Sequence, residues 1–116
     1  MNCHINSRVA GEGPAVILIH GLFGNGGNLG ALSRALQDRY RVYSVDLPNH
    51  GRSARLENAT VETMAQAVDK WALGQGIQDA RLVGHSLGGK VSMALALVRP
   101  EYVRGLVVAD IAPVPY

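Results

Sequence analysis

Short apolar runs rich in β-branched residues recur along this chain, each bounded by glycine, proline or polar residues. They lack the strict alternation of a strand with one solvated face, so they predict parallel strands buried on both faces. An earlier stretch, Cys3–Val9, predicts an additional antiparallel strand at the edge of the sheet. The buried strands are predicted at Ala15–Ile19, Arg41–Val45, Ala80–Val83 and Gly105–Ala109.

The segments between these runs place apolar residues at helical spacing. They predict helices over Leu29–Arg39, Val61–Leu73 and Lys90–Val98. Thr60 stands in the N-cap position of the second helix, and Pro100 ends the third near Val98. Regular alternation of strand and helix predicts an α/β fold, with a mostly parallel sheet covered by helices on both faces.

The sequence Gly84-His-Ser-Leu-Gly88 joins a predicted strand to a predicted helix. In a G-x-S-x-G turn of this kind the serine hydroxyl stands clear of the sheet, and its neighbours two residues away must be small. Gly84 and Gly88 meet that requirement, and the N-terminal N–H groups of the helix favour negative charge nearby. The motif therefore predicts Ser86 as the nucleophile of an acyl-transfer reaction.

A glycine-containing loop, His20-Gly-Leu-Phe-Gly24, follows the first buried strand. Such a loop can direct a backbone N–H at an oxyanion, and we predict Leu22 as one donor and Leu87 as the second. Phe23 is predicted to contact substrate beside them. We expect the ring of His20 to order the loop by hydrogen bonding rather than to catalyse.

Asp110 directly follows the predicted strand Gly105–Ala109, and two interpretations of it stay open. Its carboxylate can orient a catalytic histidine, or it can cap the turn into Ile111-Ala-Pro113. His85 adjoins Ser86, but neighbouring side chains on extended backbone face opposite sides, so we expect His85 to serve in packing. The loop Asp46-Leu-Pro-Asn-His-Gly-Arg-Ser53 is expected to be structural.

Composition excludes several other functions. The 116 residues are 47% hydrophobic, and 11 basic residues against 9 acidic ones leave a charge of +2 without a basic stripe, so no nucleic-acid partner is expected. The longest apolar run, Ala15–Ile19, is too short to span a bilayer, which favours a cytoplasmic protein with no membrane partner. Cys3 is expected in a strand or at the surface rather than in catalysis.

A nucleotide site is the main competitor, because glycines at 24, 26, 27 and 30 follow a strand and Asp46 ends the next. The G-x-G-x-x-G pattern fails, since Leu29 stands where its last glycine belongs, and no Walker A motif occurs. We therefore predict no cofactor and no metal.

Together these segments resemble the α/β-hydrolase superfamily, and within it the YbfF-type bacterial carboxylesterases, over essentially the whole chain. The resemblance implies hydrolysis of acyl esters or thioesters, including acyl-CoA, by a Ser–His–Asp triad under a small cap. It maps Ser86 to the nucleophile, Leu22 and Leu87 to the oxyanion donors, and Asp110 to a position that some relatives use for the triad acid. The segments that carry it are His20–Gly24, Asp46–Ser53, Gly84–Lys90 and Asp110–Pro113.

The chain departs from that family's pattern in the catalytic base, which is a histidine. The family's histidine follows the acid late in a longer chain, whereas all 4 histidines here precede or adjoin Ser86. We therefore expect residues 1–116 to form the N-terminal part of one hydrolase domain, with the histidine supplied by a C-terminal half, for instance on a separate chain. The strand Gly105–Ala109 would then expose an unpaired edge. The alternatives are a non-catalytic binding module of the same fold, or the same fold with another reaction, such as carbon–carbon bond hydrolysis or haloperoxidation.

Overall fold

A computed structural model of the chain describes residues 5–19, 30–47, 60–85 and 87–109. Strands and helices alternate along it, as the apolar pattern predicts. In chain order the elements are β1 (Ser7–Ala10), β2 (Ala15–Ile19), α1 (Gly30–Leu36), β3 (Arg41–Val45), α2 (Val61–Gly74), β4 (Ala80–His85), α3 (Leu87–Val98) and β5 (Val103–Ala109).

The described strands form one five-stranded sheet in the order β1-β3-β2-β4-β5. β1 pairs antiparallel with β3, while β3, β2, β4 and β5 run parallel to one another. The prediction of a mostly parallel sheet with an antiparallel edge strand is confirmed, but the edge strand begins at Ser7 and ends at Ala10, whereas the sequence predicts Cys3–Val9. Parallel neighbours bring the carboxyl ends of their strands to the same edge, and this determines where functional loops can gather.

Apolar side chains pack on both faces of the sheet. The larger cluster joins α2 and α3 to the sheet through fully buried residues such as Val68, Leu82 and Leu95. A smaller cluster on the opposite face contains Val16, Leu18 and Val42, against which Leu36 at the end of α1 and Tyr40 just before β3 pack. Burial on both faces explains why β2, the middle strand of the sheet, is an unbroken apolar run.

The N-terminus of α2 is fixed by the side chain that the sequence indicates. Thr60 Oγ1 accepts a hydrogen bond from the backbone N–H of Thr63 at 3.1 Å, and Thr63 Oγ1 accepts one from the backbone N–H of Thr60 at 2.8 Å. This reciprocal pair is a capping box in which threonine replaces the usual Glu or Gln at the third helical position. The predicted N-cap is confirmed.

A polar cluster lies where α2, the end of α3 and the start of β5 meet. Arg99 donates to Asp69 Oδ2 from Nη2 at 3.0 Å and from Nε at 3.3 Å. Asp69 Oδ1 and the Tyr102 hydroxyl are buried without a hydrogen-bond partner among the residues that the structure describes. Burial, followed by the charge of Asp69, raises the pKa of Tyr102 from 10.0 to about 12.

Candidate active site

The carboxyl ends of the parallel strands converge on one edge of the sheet. The register pairs Ile19 of β2 with Val45 of β3 and with Gly84 of β4, and it pairs His85 with Ala109 of β5. Every segment that is predicted from the sequence to contain site residues follows one of these strand ends along the chain. In an open α/β sheet this is the edge at which ligands bind.

The junction of β4 and α3 is unusually close. β4 ends at His85 and α3 begins at Leu87, so one residue, Ser86, separates strand from helix in the sequence. A Cβ atom placed on Gly84 would overlap the carbonyl oxygen of Gly88 and lie 2.6 Å from Ser92 Oγ. A side chain at position 84 would therefore force α3 away from β4, which explains the need for glycine there.

Ser92 completes this junction, although the G-x-S-x-G motif does not include it. Its side chain is fully buried, and its hydroxyl donates to the carbonyl oxygen of Gly88 at 2.7 Å. The bond connects residues four apart on one helix face, so a serine four residues after the second glycine of the motif is the signal that could have revealed it. Ser92 thus holds the first turn of α3 from inside the core.

The same first turn of α3 also lies over β5. A Cβ atom on Gly89 would lie 2.6 Å from Cγ1 of Val108. Two successive glycines disfavour a helix, and the apolar pattern accordingly predicts that α3 starts at Lys90. The helix instead begins at Leu87, because close packing against β4 and β5 outweighs the low helix propensity of glycine.

Of the predicted site residues, the structure describes Leu87. It is the first residue of α3, half-buried, and its side chain packs against the larger core cluster. This leaves its backbone N–H as the group with a predicted chemical role. Ser86, Asp110, Leu22 and Phe23 lie outside the described residues, as do His4, His20, His50 and Cys3.

His85 and Asp46 are described and lie near the same edge. His85 is half-buried and follows Gly84 on the strand, so its side chain projects from the opposite face of the sheet. Asp46 is almost fully buried just beyond β3, and its Oδ2 accepts a hydrogen bond from Asn6 Nδ2 at 2.9 Å. The backbone N–H of Asp46 also donates to the carbonyl oxygen of Asn6 at 2.9 Å, so Asp46 anchors the segment before β1.

The opposite edge of the sheet carries an open cavity of about 310 Å³. Its lining includes Ala15 and Arg41, the first residues of β2 and β3, together with Asp79 just before β4. It therefore lies a full strand length from the junction of β4 and α3. Among the described helices, none is long and apolar enough to cross a membrane.

Comparison with known proteins identifies the fold. A family model described as the alpha/beta hydrolase fold matches residues 14–115. The chain belongs to the α/β-hydrolase family. The solved structure of a marine microorganism esterase superposes with a TM-score of 0.92 at 36% identity and covers 99% of this chain. The fold class and the family resemblance drawn from the sequence are confirmed.

Similar proteins of known name include esterases, lipases and ethanol acetyltransferases. Esterase YbfF of Escherichia coli K12 is 42% identical over 101 residues, or 87% of this chain. The sn-1-specific diacylglycerol lipase ABHD11 of Mus musculus is 45% identical over 103 residues, also 87% of this chain. The matches take up 40% of the E. coli protein, 34% of the mouse protein and 44% of the marine esterase, so the chain spans less than half of each α/β hydrolase.

Proposed function

We propose that this chain supplies the nucleophile and oxyanion-binding groups of a serine hydrolase that cleaves carboxylic esters or thioesters of short to medium acyl groups. The observation that carries the proposal is the close junction of β4 and α3. A Cβ atom at Gly84 has no room beside Gly88 and Ser92, and Ser86 is the residue between that strand and that helix. Relatives that are named as an esterase and a lipase support ester hydrolysis as the class of reaction.

The reaction proceeds through an acyl-enzyme. Ser86 Oγ attacks the acyl carbonyl carbon while a histidine base takes the hydroxyl proton. The resulting oxyanion accepts hydrogen bonds from the backbone N–H groups of Leu22 and Leu87, Phe23 contacts the acyl group, and Asp110 orients the histidine. The leaving alcohol or thiol departs with the proton from the histidine, and water then hydrolyses the acyl-enzyme to release the acid.

The N-terminal end of α3 is suited to stabilise the negative charge that develops on the oxyanion in this reaction. α3 is a 12-residue helix that begins at Leu87, at the carboxyl edge of the sheet. The N–H groups in the first turn of a helix and its aligned peptide dipoles favour an anion at that end. Removal of one oxyanion donor in a serine hydrolase typically costs about 3–4 kcal/mol of transition-state stabilisation.

The described residues place no histidine on the sheet face of Gly84. Among the described residues the only histidine is His85, whose side chain projects from the sheet face opposite Gly84. The relatives extend well beyond the matched segment, and we propose that the histidine comes from the part of the hydrolase fold that corresponds to their unmatched half. Both halves together then act on a small-molecule acyl ester or an acyl-CoA thioester.

The test is hydrolysis of p-nitrophenyl esters of increasing acyl length, and of acyl-CoA thioesters. The chain is assayed alone and after co-expression with the part of E. coli esterase YbfF that follows its matched segment. We expect hydrolysis by the co-expressed pair that falls at least about a thousandfold in Ser86→Ala, as for other serine nucleophiles. Ser92→Ala is the matched control and should retain activity within about tenfold, since its hydroxyl is buried and bonded to Gly88. Activity unchanged by Ser86→Ala would contradict the mechanism, and hydrolysis by neither preparation would favour a binding module.

A further inference from the structure

The cavity at the amino ends of the parallel strands lies on the sheet face that α2 and α3 cover. Side chains two residues apart on a strand share a face, so Arg41 projects on the same side as Tyr43, which belongs to the larger core cluster. Ile77, in the turn between α2 and β4, is buried in the same cluster and closes the apolar floor of the cavity. We call this space the amino-edge cavity, and its lining includes Ala15, Arg41, Tyr43, Ile77 and Asp79.

Two side chains of opposite charge line the amino-edge cavity without pairing with each other. β2 lies between β3 and β4 in the sheet, so the starts of β3 and β4 are about 10 Å apart, twice the spacing of neighbouring strands. Arg41 is the first residue of β3, and Asp79 directly precedes β4. No ion pair joins them in the part of the chain that the structure describes. The cavity therefore presents a cation and a carboxylate from either side of β2.

The Arg41 guanidinium keeps its hydrogen-bonding capacity. Its carbon Cζ lies 5.5 Å from the centre of the Tyr43 ring, and this contact positions the group without using its N–H donors. Among the described residues no carboxylate pairs with it, and the backbone N–H of Arg41 is the group that donates to Pro14. A guanidinium held in this way can bind a carboxylate through two parallel hydrogen bonds.

Asp79 is only weakly engaged by its neighbour. Its Oδ2 lies 3.5 Å from Nε of Arg104, and the two side chains are 44% and 63% exposed. Ion pairs between exposed side chains contribute little to stability, so this contact leaves the carboxylate available to an ammonium group. With Arg41 included, two cations and one carboxylate surround this region, which favours a ligand that carries a carboxylate of its own.

We propose that the amino-edge cavity binds a free α-amino acid with an apolar side chain. The ligand's carboxylate binds the Arg41 guanidinium, its ammonium group binds the Asp79 carboxylate, and its apolar side chain contacts Ile77 and Pro14. A volume of about 310 Å³ is at the small end of the range for ligand sites, about 300–1,000 Å³, which suits a molecule of this size. A simple fatty acid would leave Asp79 facing a second carboxylate, and an amine would leave Arg41 without one.

Trp71 provides a reporter for binding. It is the 1 tryptophan of the chain, and its ring meets the Tyr43 ring edge-on with the two centroids 5.5 Å apart. A ligand that contacts Tyr43 should therefore change the fluorescence of Trp71, and it should shift the amide signals of Gly76 and Gln78 in an NMR titration. L-Leucine is the probe. Isocaproate, which lacks its ammonium group, and isoamylamine, which lacks its carboxylate, are the matched ligands.

We expect L-leucine to bind with a dissociation constant on the order of 1 mM, as suits a small ligand in an open site. Isocaproate and isoamylamine should each bind at least about tenfold more weakly, because each leaves one charged group of the cavity without a partner. Arg41→Gln and Asp79→Asn should weaken leucine binding by at least the same factor. Arg34→Gln on α1 and Glu101→Gln after α3 remove exposed charges outside the cavity and should change binding by less than about twofold.

Three results would overturn the site. The first is an unchanged Trp71 signal, with unchanged amide shifts, at leucine concentrations well above the expected constant. The second is isocaproate or isoamylamine binding as tightly as leucine, which would contradict recognition of both charges. The third is equal weakening by Arg41→Gln and Arg34→Gln, which would reduce the effect to net charge. Arg41 and Asp79 are both accessible to solvent, so neither substitution should prevent folding, and circular dichroism verifies this.

Amino-acid binding and ester hydrolysis are separable results. The amino-edge cavity lies at the edge of the sheet opposite the junction of β4 and α3, and its lining contains none of the predicted site residues. Ser86→Ala should therefore bind leucine as the unaltered chain does. Leucine binding without any esterase activity would support the cavity and contradict the proposed function, whereas hydrolysis that depends on Ser86 in a chain that does not bind leucine would contradict the cavity alone.

Discussion

Substitution of Gly84 by alanine perturbs the closest contact at the proposed site. The added Cβ overlaps the Gly88 carbonyl oxygen, a backbone atom, and lies 2.6 Å from Ser92 Oγ. A flexible side chain can rotate away, but a carbonyl in the first turn of α3 moves only with the helix. α3 is anchored by fully buried Val91 and Leu95, so its displacement disturbs the core.

Overpacking of this kind costs roughly 1–3 kcal/mol. For a domain of about this size, 1 kcal/mol shifts the melting temperature by about 4–8 °C, so we expect Gly84→Ala to lower it by roughly 5–20 °C. Gly74→Ala is the matched control, because Gly74 ends α2 and a Cβ added there would lie within 4 Å of no atom beyond its chain neighbours and its own helix backbone. Alanine at a helix position is favoured over glycine by up to about 1 kcal/mol, so this control should melt at the same temperature or higher.

The double variant Gly84→Ala/Ser92→Ala separates the two contacts. It removes the clash with Ser92 Oγ but keeps the overlap with the Gly88 carbonyl, so we expect incomplete recovery of stability. Thermal and urea unfolding followed by circular dichroism measures all the variants. Equal stability of Gly84→Ala and Gly74→Ala, or full recovery in the double variant, would refute the inference that backbone contact limits this junction.

Three further predictions concern the core, the buried tyrosine and the helix cap. Leu82 is completely buried, so Leu82→Ala should lower the free energy of unfolding in urea by about 2–5 kcal/mol. Leu97 is 83% exposed, so Leu97→Ala should change it by less than about 0.5 kcal/mol. Equal costs for the two variants would contradict the assignment of Leu82 to the core. Because the pKa of Tyr102 is raised from 10.0 to about 12, the neutral hydroxyl favours the folded state, and stability should fall as pH rises through that window. Tyr102→Phe should remove this part of the decline, and an identical pH profile for both proteins would rule out the shift. Thr60→Ala breaks the capping box and should cost about 0.5–2 kcal/mol in the same unfolding assay; an unchanged midpoint would show that the cap contributes nothing.

The fold follows from the sequence because burial on both faces leaves a strong local pattern. β2 and β3 have the predicted bounds: β2 is a continuous apolar run, and β3 is buried from Val42 to Val45. β4 extends beyond the predicted end at Val83 to His85, because pairing of Gly84 with Ile19 holds a glycine in a strand that its propensity disfavours. Likewise, β5 starts at Val103 rather than Gly105, through the pairing of Val103 with Ala80.

Contacts between distant segments leave no such local pattern. The hydrogen bond from Asn6 to Asp46 spans 40 positions in sequence, and no periodicity in either segment indicates it. α1 also ends at Leu36 rather than at the predicted Arg39, because apolar spacing does not mark where a helix gives way to a turn. The nucleophile motif, by contrast, can be recognised in the sequence, because the close approach of strand and helix requires glycine at positions only a few residues apart.

The identity of the nucleophile is tested most directly by intact-mass spectrometry after reaction with a fluorophosphonate probe. The chain and its co-expressed complex with the C-terminal part of YbfF are labelled beside Ser86→Ala and Ser92→Ala. We expect one adduct on this chain, formed fastest in the complex, absent in Ser86→Ala and retained in Ser92→Ala. An adduct that persists in Ser86→Ala, or labelling confined to the partner polypeptide, would contradict the assignment of Ser86 as the nucleophile.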